Sequence, residues 1–334
     1  MTISIIVPNM NGIKILKKCL LSLQQQERTA EEIIVVDNGS KDGSQDIIRK
    51  EFPDIKLISL PDNTGFTGAN NTGIKAATGE MVVLLNNDCI VEPGWLNNLS
   101  KRMNDPEVAA VTSSMRNIND ISIMDSAGGK IDWLGFSRDI GKGEPSSNYE
   151  SNMEIPFPCG GAVMIRRSAL PNPDKLFWSK LFIYQEDLDL GFELLRTGWK
   201  IVYEPTAIVR HVHSATMGSG NFFKESLCIR NRLLVLRKHF DESLFSELKP
   251  IIKKWQFLWM IISLLKGRFT LAKAIYYGTR DGLKIPVEKF SAPIPVSQVF
   301  IRYAYLKTNQ GYLKNKMYQQ VKKIIKQYNN NAEK

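Results

Sequence analysis

Apolar positions in the first hundred residues fall into short runs separated by amphipathic stretches. Ile3–Pro8 (ISIIVP), Glu32–Val36 (EIIVV), Ile55–Leu60 and Met81–Leu85 (MVVLL) have the length and the Val, Ile and Leu content of buried parallel strands. Between them, Ile13–Gln25 places Ile13, Leu16, Leu20 and Leu23 at helical spacing. Ser44–Phe52 reads as a helix stopped by Pro53, and Gly68–Ala77 and Trp95–Met103 read as two more. Strands alternating with helices predict a parallel sheet with right-handed crossovers. Farther on, Val108–Ser113, Ala162–Arg166 and Lys200–Tyr203 are strand-like, and Glu186–Thr197 is an amphipathic helix ended by Gly198. Residues 117–153, rich in Gly, Ser, Asn and Asp, read as loops with short strands. From about residue 222 the pattern is helical.

Trp255–Leu265 (WQFLWMIISLL) is too short to span a bilayer, which needs about 20 apolar residues, and it is interrupted by Gln256 and Ser263. The opening residues MTISIIVPNMNG lack a basic leader and a cleavage site, so no signal peptide is expected. A cytoplasmic protein, at most peripheral at the inner membrane face, follows from both.

Charge divides the chain. Residues 1–221 carry 22 Lys and Arg against 27 Asp and Glu, whereas residues 222–334 carry 22 against 7. This predicts an acidic domain holding the chemistry (1–221) and a basic, mainly helical region (222–334). The basic region suits an anionic membrane surface, because aromatic residues at 255–259 sit between Lys253–Lys254 and Lys266–Arg268. A merely solvated basic face is the plainer alternative. No nucleic-acid partner is expected, since no binding motif accompanies the charge. With 334 residues and 43% hydrophobic content the chain can bury a full core, which excludes a disordered or collagen-like polymer. Cys19, Cys89, Cys159 and Cys228 form no C-x-x-C pair, so free thiols are expected rather than a zinc site.

Polar residues gather where the predicted strands end: Pro8–Asn9, Asp37, Asn63–Gly65 and Asn86-Asn87-Asp88. In an open parallel sheet, ligands bind outside the carboxyl ends of the strands. Neither G-x-G-x-x-G nor G-x-x-x-x-G-K-[ST] is present to cradle phosphates. A divalent cation on Asp88, Mg²⁺ or Mn²⁺, would neutralise them instead.

Four segments in order resemble glycosyltransferase family 2, in particular its bacterial rhamnosyltransferase branch. They are Ile5-Ile6-Val7-Pro8-Asn9-Met10-Asn11-Gly12, Val35-Val36-Asp37-Asn38-Gly39-Ser40-Lys41-Asp42-Gly43-Ser44, Asn63 to Gly73 running on to Leu84-Leu85-Asn86-Asn87-Asp88, and Tyr184-Gln185-Glu186-Asp187-Leu188-Asp189-Leu190. The resemblance covers roughly residues 1–240 and implies an α/β GT-A (Rossmann-like) fold, a mostly parallel sheet flanked by helices, here with a C-terminal helical extension. It also implies roles. Asp37 would accept hydrogen bonds from the donor's base, and Pro8, Asn63, Gly65, Asn71 and Asn87 would shape the nucleotide-sugar pocket. Asp88 would bind the metal, with only the last position of its motif a carboxylate, and His211 would complete the site, with His213 as the alternative. Asp187 would be the catalytic base, with Glu186 and Asp189 as alternatives. Gly160, Gly161 and Glu186 would face the acceptor. Cys159 beside them is read as an inert thiol rather than a nucleophile.

The chemistry implied is inverting transfer of a sugar from a nucleotide-diphosphate donor, dTDP-rhamnose first and a UDP-hexose second. The acceptor would be a hydroxyl of a glycan or lipid-linked glycan in cell-surface polysaccharide synthesis. A catalytically silent sugar-nucleotide-binding subunit is the non-enzyme alternative.

Overall fold

The computed structural model describes residues 1–212, 221–305 and 312–332. β1 (Ile3–Asn9), α1 (Ile13–Gln24), β2 (Glu32–Asn38), α2 (Ser44–Glu51), β3 (Lys56–Leu60), α3 (Gly65–Ala76) and β4 (Met81–Leu85) alternate as the periodicity predicts. β5 (Cys89–Val91), α4 (Trp95–Arg102), β6 (Val108–Asn117), β7 (Met124–Ser126), β8 (Gly129–Ile131), β9 (Ser137–Asp139) and β10 (Met153–Glu154) follow. Then come β11 (Ala162–Arg166), α5 (Glu186–Arg196) and β12 (Lys200–His211). The rest is helical: α6 (Phe222–His239), α7 (Glu242–Leu265), α8 (Phe269–Lys284), α9 (Val296–Tyr303) and α10 (Tyr312–Ala332).

Two compact units result. One comprises Met1–Gly129, Asp139–Leu194 and Trp199–Ser214; the other comprises Lys130–Arg138, Leu195–Gly198 and Ala215–Lys334.

The first unit holds a sheet in the order β10-β12-β6-β11-β4-β1-β2-β3, with β5 added to β12 and β7 to β6. β1 lies parallel to β2 and β4, β2 to β3, and β6 to β12. β11 runs antiparallel between β4 and β6. The other long strands therefore point one way, and the start of β11 reaches the rim where they end. Every residue of β4 is buried, as its unbroken apolar run requires. α1 lays Leu16, Cys19, Leu20 and Leu23 on one face of the sheet, and Trp95 and Leu99 of α4 join the same core.

Two boundaries differ from the periodicity. α3 starts at Gly65 rather than Gly68, because Asn63 Oδ1 accepts from Gly65 N (2.9 Å) and Asn38 Oδ1 from Thr64 N (2.8 Å), launching the helix early. β12 continues through Pro205 to His211 instead of ending at Tyr203. A register shift between Glu204 and Ile208 absorbs the proline, which has no N–H to give the ladder.

In the second unit α8 packs closely on α6. A Cβ on Gly278 would lie 2.7 Å from Ser226 O, and one on Gly282 would lie 2.8 Å from Arg230 O. No helix among the described residues is long and apolar enough to cross a membrane.

Gly73 sets how closely α3 approaches β1, since a Cβ there would sit 2.4 Å from Ile6 Cγ2. Gly73→Ala should destabilise the protein by about 1–3 kcal/mol in urea unfolding. The Gly73→Ala/Ile6→Ala pair should cost less than the two single changes together. Strict additivity would mean that this contact does not limit the packing.

Candidate active site

Asp37 stands at the carboxyl end of β2, fully buried. It accepts hydrogen bonds from Asn9 Nδ2 (2.9 Å), Ser40 N (3.0 Å) and Gln45 Nε2 (2.7 Å). Asn9 Oδ1 in turn accepts from Asn87 Nδ2 (2.8 Å), so the ends of β1, β2 and β4 are joined through side chains. Pro8 lies in β1 opposite Val36 of β2. Asn38 donates to Asn63 Oδ1 (3.0 Å) and Gly65 O (3.1 Å). Gly65 has φ +75°, and a Cβ there would lie 2.4 Å from Phe182 O, so only glycine fits. Asn71 points elsewhere. It donates to Phe177 O (2.8 Å) and accepts from Leu176 N (3.0 Å) and Phe177 N (2.8 Å), pinning that loop to α3.

A second cluster forms where β4 and β12 end. His211 Nε2 lies 3.4 Å from Asp88 Oδ2, and its Nδ1 is hydrogen-bonded to Asp125 Oδ2 of β7. Lys142 Nζ stands 3.5 Å from Asp125 Oδ1. Burial disfavours the charged imidazole, but Asp125 and Asp88 outweigh it and push the His211 pKa up to about 9. Asp88, Cys89 and His211 offer ligand atoms within 4.8 Å of one another. Cys89 is the poor member: its thiol points to Gly161 O (3.6 Å), and burial pushes its pKa far up. The remaining carboxylate and imidazole are a donor pair that suits Mg²⁺ or Mn²⁺. His213 lies outside the described residues.

The third part is the start of α5. A Cβ on Gly161 would lie 3.2 Å from Asn86 Nδ2, and one on Gly160 would lie 3.9 Å from Asp187 Cβ. Gly160 and Gly161, just before the reversed strand β11, thus lie between the Asn86-Asn87-Asp88 turn, where Asn86 N donates to Gly161 O (2.8 Å), and Asp187. Asp187 Oδ1 accepts from its neighbour's amide, Leu188 N (2.8 Å), and its side chain is partly exposed. Glu186 is 8% exposed, and its Oε2 has no hydrogen-bond partner among the described residues. Asp189 is more deeply buried still. Burial raises the pKa of both Glu186 and Asp187; the charge of Asp187 adds to the first, and that of Asp139 to the second. Cys159 beside them touches Met115 Sδ (3.2 Å), and burial keeps it a thiol.

Sequence reasoning missed Asp125. It lies in the stretch read as loops, where no motif distinguishes it, and only the pairing of β7 with β6 brings it to His211. Asn38 was visible as part of a segment, but not as the residue that fixes Asn63 and Gly65.

A sequence model described as Glycosyl transferase family 2 matches residues 4–172. A pre-mycofactocin glycosyltransferase of Mycobacterium tuberculosis (strain CDC 1551 / Oshkosh) is 28% identical over 216 residues, covering 63% of this chain and 43% of that protein. An N-acetylglucosaminyltransferase of Rhizobium meliloti (strain 1021) is 28% identical over 228 residues, covering 64% of this chain and 52% of that protein. The chain thus spans about half the length of these relatives. Among solved structures, GalNAc-T7 with UDP, GalNAc and Mn²⁺ superposes at a TM-score of 0.60 with 19% identity, over 76% of this chain and 51% of that one. The likeness shows a shared fold.

Asp125 orients His211 and fixes which ring nitrogen faces Asp88. Asp125→Asn should therefore weaken Mn²⁺ binding by about 10–100-fold in calorimetry, with His211→Ala at least as damaging. Unchanged Mn²⁺ affinity in both variants would remove this cluster as a metal site.

Proposed function

Because the chain belongs to glycosyl transferase family 2, we propose that it moves a sugar from a nucleoside-diphosphate donor to a hydroxyl of a glycan or lipid-linked glycan, with inversion at the anomeric carbon. The observation that carries this is a run of neighbours along the strand ends: Asp37 is hydrogen-bonded to Asn9, Asn9 to Asn87, and Asn86 N to Gly161 O (2.8 Å), while a Cβ on the adjacent Gly160 would lie 3.9 Å from Asp187 Cβ. A base-recognising carboxylate, a cation site and a desolvated carboxylate then border a single rim.

Asp37 accepts from the donor's pyrimidine, with Pro8, Asn63, Gly65 and Asn87 shaping that end, while Asn71 holds the loop at Leu176–Phe177 instead. Asp88 and His211 would hold Mg²⁺ or Mn²⁺, which when bound would offset the charge of the nucleoside diphosphate. Gly160, Gly161 and Glu186 border the acceptor. The acceptor oxygen attacks the anomeric carbon as the bond to the diphosphate breaks, and the diphosphate leaves with the bonding electrons. Asp187 Oδ takes the acceptor proton, a role typically worth about 10²–10⁴-fold.

For the donor, dTDP-rhamnose follows from the resemblance of the motifs, whereas the name of the Rhizobium meliloti relative favours N-acetylglucosamine as the sugar, which a UDP-linked hexose donor would supply. Lipid-linked acceptors place the work at an anionic membrane face. Release of nucleoside diphosphate from each donor, with and without Mn²⁺, decides between them. Failure to bind or turn over any nucleotide sugar would defeat the proposal.

Asp187→Asn should keep donor affinity and lose about 10²–10⁴-fold in turnover. A raised carboxyl pKa means that Asp187 is protonated, and idle as a base, at pH values where an ordinary aspartate is ionised. The acid limb of kcat/KM should accordingly lie well above the usual carboxylate range, and Asp139→Asn should move it down. An acid limb near pH 4 would assign the proton to another group.

A further inference from the structure

The C-terminal half of α7 is inside out. Its inward positions include two polar residues, Gln256 at 2% exposure and Ser263 at 3%. Neither side-chain polar atom of Gln256 has a hydrogen-bond partner among the described residues, and Ser263 Oγ is turned back to Trp259 O (2.7 Å). Beyond Lys254 the exposed positions of α7 are apolar: Phe257 is 58% exposed, Ile262 41%, Leu264 40% and Leu265 82%. A helix facing water on its outer side shows the opposite pattern. Single exposed apolar residues are ordinary, but a contiguous face marks a contact.

The patch ends in a tight, fully hydrogen-bonded turn. Lys266 N donates to Ile262 O (3.1 Å), Gly267 N to Leu264 O (2.9 Å) and Arg268 N to Ser263 O (2.8 Å), with Gly267 at φ +67°. α8 then opens on Phe269, 69% exposed. Residues 248–280 contain seven Lys and Arg and no Asp or Glu. Lys253, Lys254, Lys266, Arg268 and Lys273 are exposed around the apolar tip.

We propose that the α7–α8 tip is an interfacial anchor for an anionic phospholipid bilayer. Phe257, Leu264, Leu265 and Phe269 enter the boundary between head groups and acyl chains, a depth of about 5–10 Å, and Lys266 and Arg268 meet the lipid phosphates. The charge selects this occupant. A second copy of the tip would bring like charges together, and a neutral apolar partner would leave the basic rim unmatched. The surface rests on the proposed transferase function only for the membrane as the place of work.

The test is flotation of the full chain with vesicles of phosphatidylcholine containing about one third phosphatidylglycerol, at low and high salt. Salt-sensitive binding is expected, at least about tenfold weaker to pure phosphatidylcholine vesicles. Leu265→Glu/Phe269→Glu should abolish it with an unchanged thermal midpoint, because both side chains already face outward. Absent binding, equal binding to neutral vesicles, or binding that survives the double variant would overturn the proposal. So would a dimer in light scattering that the double variant splits. Donor hydrolysis in vesicle-free solution is measured alongside. Hydrolysis without vesicle binding defeats the anchor alone, and vesicle binding with neither binding nor turnover of any nucleotide sugar defeats the transferase reading alone.

Discussion

The side chain of Asn9 ties three strand ends together. Its amide nitrogen donates to Asp37 on β2 and its oxygen accepts from Asn87 beyond β4, in a setting that leaves Asn9 only 1% exposed. A buried carboxylate needs donors, and a buried amide needs both of its ends met. Parallel pairing of β1 with both β2 and β4 brings these ends to one rim, and the short side chains keep them in reach. Gly12 closes the arrangement, because a Cβ there would lie 2.2 Å from Asn87 Nδ2 and 2.4 Å from Asn9 Oδ1. The rest of the rim is built outward from this knot.

Carboxylates on the rim divide by their surroundings. Asp37 is met by three donors, Asn9 Nδ2, Ser40 N and Gln45 Nε2. Asp88 and Asp125 enclose His211 and favour its protonated form, and a divalent metal would take the place of the Nε2 proton on the Asp88 side. Glu186 and Asp187 have burial and neighbouring negative charge against them, which is the setting of a proton acceptor rather than of a structural ion pair. One residue type thus meets three surroundings, and what separates them is the count of donors and the access of water.

Much of this was legible in the chain. Unbroken β-branched runs announced parallel strands, and polar residues immediately after them marked the rim, because strand direction alone decides where those residues go. What stayed hidden depends on contacts distant in sequence. Asp125 acquires its role from the pairing of β7 with β6, and β12 extends past Pro205 because β6 offers it a long parallel partner. Gln256 and Ser263 interrupt an apolar run in the sequence, yet they face inward while the apolar residues face out. Composition registers the interruption; only the helix's rotation about its axis shows its direction.

That the rim acts as one object is clearest just before α5. Phe182, Tyr184 and Gln185 have φ of 64°, 73° and 70°, conformations that cost roughly 1–3 kcal/mol each for residues with a Cβ. Such a segment persists only where its neighbours dictate it. Thr67 donates to Phe182 O through its amide (3.0 Å) and its hydroxyl (3.3 Å), Gly65 leaves the room Phe182 needs, and Asp189 N bonds Gln185 O (3.0 Å). The first turn of α3, beside Asn38 and Asn63, therefore fixes the path of the chain into Glu186 and Asp187. The first turn of α3 and the start of α5 lie far apart in sequence but share one strained junction, so a shift of the first turn of α3 must displace the start of α5 as well.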